Sequence, residues 1–565
     1  MPNAPVSTVP DTTPQPSVLS DRDEHPQRLA EMARAVLLQA LLLGIAADLL
    51  LRDGITGIGL PIWLLLLALA AAALVWRAGR RLPRETAAWL TVSTLLGLAI
   101  AWRAADALQF FDFVATLFAL GMAAISLADA RAALFASRLR DTVWAGARVV
   151  GSVAIGVVPL ALRDVALPVA HEQLRGRLRP AVRALLIALP LVFVFGSLLR
   201  GADPVFASIF AFPDIDFASL ASHVAVIGFF AWVVAGWARA ALLRDASVSR
   251  APETLPWTLG QLDVTAALGT LNVLFALYVA TQLGWFFGGE RFLQARTGLT
   301  AAEYARQGFF QMVWVVVLVL PILLVTRATL RPGRALERRH TMLAFPLIAL
   351  LLLMIVSAVL RMQLYMHYYG LTLERFYPLV FMGWLAIVLA WLALTVLRGR
   401  GRAFVGGAVT AALVILALLN VFVPDRLVAR ANVARAQGGA DAGERALDLT
   451  HLATLGGEAV PLAVSAVLSS PKENADSAAS LQQARDRCQA SQVLLRRWRP
   501  SSRELARREA GGASWRAWNA GVASATQIVR ANYRALLSIQ HDACARERAL
   551  SPVRADRRAS VSAGR

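Results

Sequence analysis

The chain has 565 residues, 57% of them apolar and only 17% charged, with a mean hydropathy of +0.56. Soluble domains are about 45–50% apolar and about 25% charged, so this chain has too little polar surface to wrap a water-soluble core. Its net charge of +20 is carried by Arg, with Lys472 the single Lys. The Arg residues fall in short gaps between apolar blocks, as anionic headgroups favour, so the partner they imply is the lipid bilayer and no nucleic acid.

Residues 1–28 contain Pro2, Pro5, Pro10, Pro14, Pro16 and Pro26 among Ser, Thr and Asp. Such a stretch buries too little apolar area to fold, and is predicted to be a disordered tail rather than a signal peptide. Apolar blocks long enough to cross a bilayer follow at 34–51, 58–76, 86–102, 108–128, 180–199, 219–240, 262–287, 308–326, 341–361, 376–397 and 403–423. Trp63 and Trp76 read as interface anchors of the second block, Trp89 and Trp102 of the third.

Segment 144–162 is apolar but broken by Arg148, Gly151, Gly156 and Pro159. It could span, lie in the interface, or dip in and return. Counting eleven spans with the N-terminus inside puts the Arg-rich gaps on one face, among them Arg77 to Arg84 and Arg327 to Arg339. The opposite gaps are poor in Arg, and 200–218 carries Asp203, Asp214 and Asp216 against Arg200 alone. A span at 144–162, making twelve, inverts every later gap. Eleven crossings with the C-terminus outside is therefore the predicted topology. The membrane part then divides into 29–140, a cytoplasmic or interfacial 141–179, and 180–425.

Residues 426–550 are helix-favouring and mostly polar, with apolar positions at helical spacing. Short helices are predicted near 443–454 and 458–468, around Gly456 and Gly457. Longer ones near 476–498 and 513–549 are separated by Pro500 and by Gly511 and Gly512. The expectation is an all-α membrane bundle with a small C-terminal extramembrane helical domain, ending in a disordered tail at 551–565. Both cysteines, Cys488 and Cys544, lie in that domain, too few for a disulfide scaffold or a tetrahedral metal site. A hairpin turning near position 506 sets Cys488 opposite position 524. A disulfide therefore needs a kink or a third helix, and two unpaired thiols are the alternative.

Soluble-type catalysis finds no foothold. A phosphate-binding P-loop needs a Lys where none stands, and the residue four places after His171 is Arg175, so the zinc-protease helix is not completed. No Ser sits in a Gly-x-Ser-x-Gly elbow. No catalytic residue, metal ligand or cofactor is assigned.

Ionisable residues in or beside crossings are costly and therefore functional candidates. Asp48 is read as reaching the interface near Arg52, and Arg103, Asp106 and Asp112 as a local ion pair at a helix junction. A denser set follows: Asp203, Gln282, Glu303, Tyr304, Arg306, Arg361, Tyr365, Glu374, Arg375, Asp425, Arg430 and Asn432. By parity the ends of crossings five, seven, nine and eleven share one face, which also carries the helical domain. The set reads as a polar pocket or docking surface, or else as helix caps and loop ion pairs.

Several strings in this region resemble a bacterial membrane family. They are Leu198 to Phe206, Phe286-Phe287-Gly288-Gly289, Leu299 to Phe310, Arg361 to Tyr365 with Tyr369 to Thr372, Pro424-Asp425 with Ala429 to Asn432, and Trp515 to Asn519. The family is the domain of unknown function DUF4173, related to DUF4153. Gln311 departs from the acidic residue expected after the Phe pair. The resemblance covers roughly 180–520 and leaves residues 1–140 outside. It implies a multi-pass fold in a bacterial inner membrane and no activity.

Three functions fit. An envelope sensor, scaffold or assembly factor would bind a protein or glycan partner through the outer helical domain. A transporter would use the polar cluster as the mouth of a pathway. A membrane-embedded enzyme on lipid-linked substrates would use Glu303 or Asp425 as base and Arg residues to hold phosphate. The first accounts for the helical domain and for the missing catalytic set.

Overall fold

The computed structural model describes residues 19–128, 139–160, 164, 217–243, 258–297, 309–437, 447–470, 478–499 and 515–550. Among these, every regular element is helical, apart from one isolated bridge between Leu259 and Leu330. The membrane helices are α1 (Leu19–Leu51), α2 (Gly59–Arg77), α3 (Arg84–Trp102), α4 (Asp106–Ala128), α5 (Leu139–Ile155), α6 (Phe217–Leu242), α7 (Gln261–Thr297), α8 (Phe309–Ala328), α9 (Arg334–Tyr369), α10 (Leu373–Thr395) and α11 (Arg402–Phe422). All but α5 contain a stretch long and apolar enough to cross a membrane, ten such helices among the described residues. Each overlaps one of the apolar blocks, most with bounds within a few residues, while α1, α7 and α9 run well beyond theirs; the block at 180–199 lies outside the described residues. The chain is a multi-pass membrane protein.

Three expectations change. The helical backbone of α1 begins at Leu19, inside the stretch read as a tail. Helix α9 has 36 residues, not 21. At 1.5 Å per residue it is about 54 Å long against a hydrocarbon core of about 30 Å, so it projects well past one or both surfaces. Trp63 and Trp89 are buried, Trp89 edge-on to Phe118, so they pack helix to helix and only Trp76 and Trp102 face outward.

The chain divides into two compact units. In the first, α1 and α6 run antiparallel, the last turn of one meeting the first turns of the other. Asp48 accepts from Arg52 at 2.7 Å, as the sequence anticipates, and also pairs with His223 at 2.5 Å. Arg52 reaches Ser222 as well, at 2.8 Å. The end of α5 is fastened to α6: Ser152 donates to Gly236 O, and the Trp232 indole to Val153 O and Ala154 O.

In the second unit, α3 and α4 form a hairpin joined by a buried Thr86–Ser126 hydrogen bond. Asn272 of α7 donates to Leu343 O of α9, and His340 of α9 meets Thr326 of α8. Helix α12 (Pro424–Gln437) follows α11 after one residue, Val423, at φ 52°. Then come α13 (Leu449–Thr454), α14 (Val460–Ser469), α15 (Ala478–Trp498), α16 (Ala520–Ala531) and α17 (Tyr533–Leu550). The single long helix expected over 513–549 is thus two, broken at Asn532. That break supplies the third helix a disulfide requires: α17 packs on α15, and Cys488 and Cys544 are bonded with Cα atoms 5.0 Å apart. These helices enclose a core of Leu449, Leu452, Val460, Val464, Leu494, Trp498, Val529 and Leu536.

Candidate functional site

The polar residues near the membrane ends meet where the C-terminal helices seat on the corners of the membrane helices. The main corner is Arg103-Ala104-Ala105, between α3 and α4. A helix end leaves carbonyls and N–H groups without intrahelical partners, and here the C-terminal domain supplies them. Asn519, 4% exposed, donates through one amide to Ile100 O and Arg103 O, both at 2.9 Å, and to Thr56 O at 3.0 Å. Its Oδ1 meanwhile caps α16 by accepting from Val522 N. Ala104 N donates to Glu458 Oε1 at 2.8 Å, and Gly457 N to Ala104 O at 3.0 Å.

Backbones this close need glycine. A Cβ on Gly456 would lie 2.6 Å from Ala104 O, and one on Gly521 2.7 Å from Ala104 N. Ala104 itself is part of the domain's core, with Leu371, Leu373 and Phe376 packed against it from the α9–α10 corner.

Helix α12 carries two of the predicted residues seven positions apart, two turns on one face. Asp425, 2% exposed, accepts from Gly456 N at 2.7 Å. Asn432 holds the α9–α10 corner with both amide atoms, accepting from Leu371 N at 3.1 Å and donating to Leu371 O at 2.7 Å. That corner turns through Gly370 at φ 78°, a backbone only glycine adopts readily. Arg375 donates to Gly370 O and stacks over the Tyr365 ring at 4.3 Å. Burial pushes the Asp425 carboxyl up to about 6, with the nearby Glu458 and Asp106 carboxylates adding to the rise and the Gly456 hydrogen bond opposing it.

The expected single cluster is therefore two subsites. Asp425 belongs to the Ala104 corner; Tyr365, Arg375 and Asn432 gather at Gly370, joined by Arg435. Arg361 is buried one turn before Tyr365, whereas Glu374 and Arg430 are exposed. Asp203, Glu303, Tyr304 and Arg306, and the side chain of Gln282, lie outside the described residues.

Arg103, Asp106 and Asp112 do not form the local ion pair expected of them. Arg103 donates to Asn420 O at 2.6 Å, Asp106 pairs with Arg497 at 2.8 Å, and buried Asp112 accepts from Asn420 Nδ2 at 2.8 Å. Their partners lie more than 300 residues away, which no local spacing reveals. Asn519 closes the Trp515–Asn519 motif, and Gly456 with Gly457 lie between two short helices; neither pattern names Ala104 as the partner. Five buried oxygens near this corner lack hydrogen-bond partners among the described residues: Asp112 Oδ2, Tyr377 Oη, Asn420 Oδ1, Asp425 Oδ2 and Glu458 Oε2. Among the described residues, no three His, Cys, Asp or Glu side chains converge to hold a metal ion.

A family model described as "Domain of unknown function (DUF4153)" matches residues 90–466, well over half of the chain. The chain belongs to the DUF4153 family. No curated protein and no solved structure matches it. The DUF4153 match starts at 90, within the residues that the sequence resemblance left outside, and it takes in most of α3 and all of α4. The matched range thus includes the Ala104 corner together with Asn420, Asp425 and Gly456–Glu458, which meet it. The match ends before Trp515 to Asn519, which the resemblance had included.

Proposed function

We propose that this DUF4153 protein is an envelope sensor, scaffold or assembly factor of a bacterial inner membrane, displaying its C-terminal helical domain on the outer face. The observation that carries the reading is the shared core. Ala104, Leu371 and Phe376, at the corners of membrane helices, pack into the same cluster as Leu452, Val464 and Leu536. A domain merely tethered to a membrane needs no such seat. One built into helix corners can hold a partner at fixed height or pass a displacement to the helix ends. An open cleft of about 510 Å3 between α14 and α16, lined by Pro461, Val464, Ser465, Leu468 and Ile528, offers a place for that partner.

Two features support the outward orientation. A disulfide between Cys488 and Cys544 belongs to an oxidising compartment, and the Arg-rich gaps lie at the opposite helix ends. The strings that resemble DUF4173 support a relation to that family as well.

The transporter reading draws on one observation, the unpartnered oxygens of Asp112, Tyr377, Asn420, Asp425 and Glu458 beside the Ala104 corner, which could pass a proton or water. Complementation separates the two. A null strain is supplied with the full chain or with a version lacking 440–565. We expect the truncated protein to accumulate but not to complement; full rescue by it would end the sensor or scaffold reading. Topology is checked by labelling intact cells with an impermeant maleimide. Labelling only after reduction is expected, and labelling only after lysis would reverse the orientation.

A further inference from the structure

The docking strip of the C-terminal domain ends in two tryptophans that face away from the protein. Trp515–Ala517 forms one 3₁₀ turn and Trp518 leads into the Asn519 cap. Trp515 is 58% and Trp518 47% exposed. Leaving two indoles open to water is unfavourable, since each carries a large apolar face.

The height of this turn is set by backbone contacts. Ile58 N donates to Trp518 O at 2.9 Å, and Gly57 is so close that a Cβ there would lie 2.3 Å from Arg516 O. Asn519 is bonded to Thr56 O on one side and to Ile100 O and Arg103 O on the other. These groups lie in the turn just before α2 and at the end of α3. Each of those helices has 19 residues, about 28 Å, barely the thickness of the hydrocarbon core, so their ends sit at the headgroup level. Trp102, held between the two carbonyls that Asn519 grips on α3, is itself 55% exposed at that level.

We propose that Trp515 and Trp518 form a lipid-contacting foot, by which the C-terminal domain rests its 515–518 turn in the headgroup layer beside Trp102. Indole is suited to that layer because its ring is apolar and its N–H seeks a polar partner, which headgroup carbonyls and phosphates supply. The occupant is the bilayer surface and not a protein, because the hydrogen bonds to Thr56, Ile100 and Arg103 hold the turn at a depth where lipid is the neighbour. The foot gives the domain a third support, in addition to the Ala104 and Gly370 corners, and it makes the pose of the domain sensitive to the lipid surface.

The test uses the full-length protein in vesicles of phosphatidylethanolamine and phosphatidylglycerol. Both native cysteines are bonded, so a thiol introduced by Trp515→Cys, Trp518→Cys or, as reference, Leu537→Cys on exposed α17 can be labelled alone with a fluorophore. Lipids spin-labelled at the headgroup should remove most emission at 515 and 518 and little at 537, whereas aqueous iodide should do the reverse. Iodide reaching 515 and 518 as readily as 537 would overturn the proposal. So would shielding that appears in native membranes but not in vesicles of the purified protein, because a protein would then be the cover. Should the Cys variants fail to fold, intrinsic fluorescence of the native chain against Trp515→Phe and Trp518→Phe gives the same answer. The emission lost in each variant must be the fraction that headgroup spin labels quench.

Discussion

Asn519→Ala offers the sharpest test of the seat. The substitution removes the cap of α16, a loss of about 1 kcal/mol. It also removes two amide hydrogens shared among Thr56 O, Ile100 O and Arg103 O, leaving buried carbonyls without a donor at roughly 1 kcal/mol for each hydrogen. The expected sum is about 3 kcal/mol, close to a hundredfold in the equilibrium between docked and undocked corner. Hydrogen exchange reads that equilibrium at two amides that Asn519 does not touch: Ile58 N, bonded to Trp518 O, and Gly457 N, bonded to Ala104 O. In Asn519→Ala both should exchange faster by about that factor, while amides inside α15 and α17 keep their protection. Asn519→Ser keeps an oxygen for the cap and should recover about 1 kcal/mol. Asn519→Asp keeps the cap but aims a carboxylate at three carbonyls, and should undock the corner at least as far as Ala does. If Ile58 and Gly457 exchange at the wild-type rate in Asn519→Ala, the corner is held by something other than these bonds and the seat as described is wrong.

Three further outcomes follow from the same geometry. The folded carboxyl of Asp425 holds its proton up to about pH 6 against an ordinary 3.8, so its contribution is complete below pH 3.8 and is lost as pH rises toward 6, by about 3 kcal/mol; Asp425→Asn should flatten that slope in pH-dependent melting and raise the melting temperature at pH 7. Breaking Cys488–Cys544 opens a loop of 56 residues, for which chain entropy gives about 4 kcal/mol; Cys488→Ala with Cys544→Ala should unfold the C-terminal helices earlier in urea while the membrane helices keep their signal. Asn432→Ala should release the Gly370–Leu371 turn at a cost of about 2 kcal/mol, seen as faster exchange at Leu371 N and absent if that turn is held by Arg375 alone.

The architecture was legible because a bilayer imposes a one-dimensional rule. Each crossing must be a helix of a certain length with an apolar surface. Each of the ten described spans overlaps an apolar block, and the polar, periodic C-terminal region does form a helical domain. The ends of α9 and α11, at Gly370 and Pro424, both meet that domain. Chain pattern alone likewise singled out Asp425, Asn432, Arg375 and Tyr365, because polar residues at helix ends stand out against apolar neighbours.

What pattern could not supply was partnership. Ala104 has no distinguishing chemistry. It matters because Gly456, Gly457 and Gly521 leave room for its backbone and because Glu458 and Gly457 answer its N–H and C=O. Asp106 and Asp112 look like a local pair until Arg497 and Asn420 arrive from the other end of the chain. The disulfide depended on a helix break at Asn532 that shifts register, and Trp63 and Trp89 turned inward although they sit where interface anchors belong. Local helix formation and membrane insertion are properties of a segment and its solvent, so they can be read in order along the chain. Docking depends on shape and on unsatisfied backbone groups at close range, and those exist only once distant segments have met.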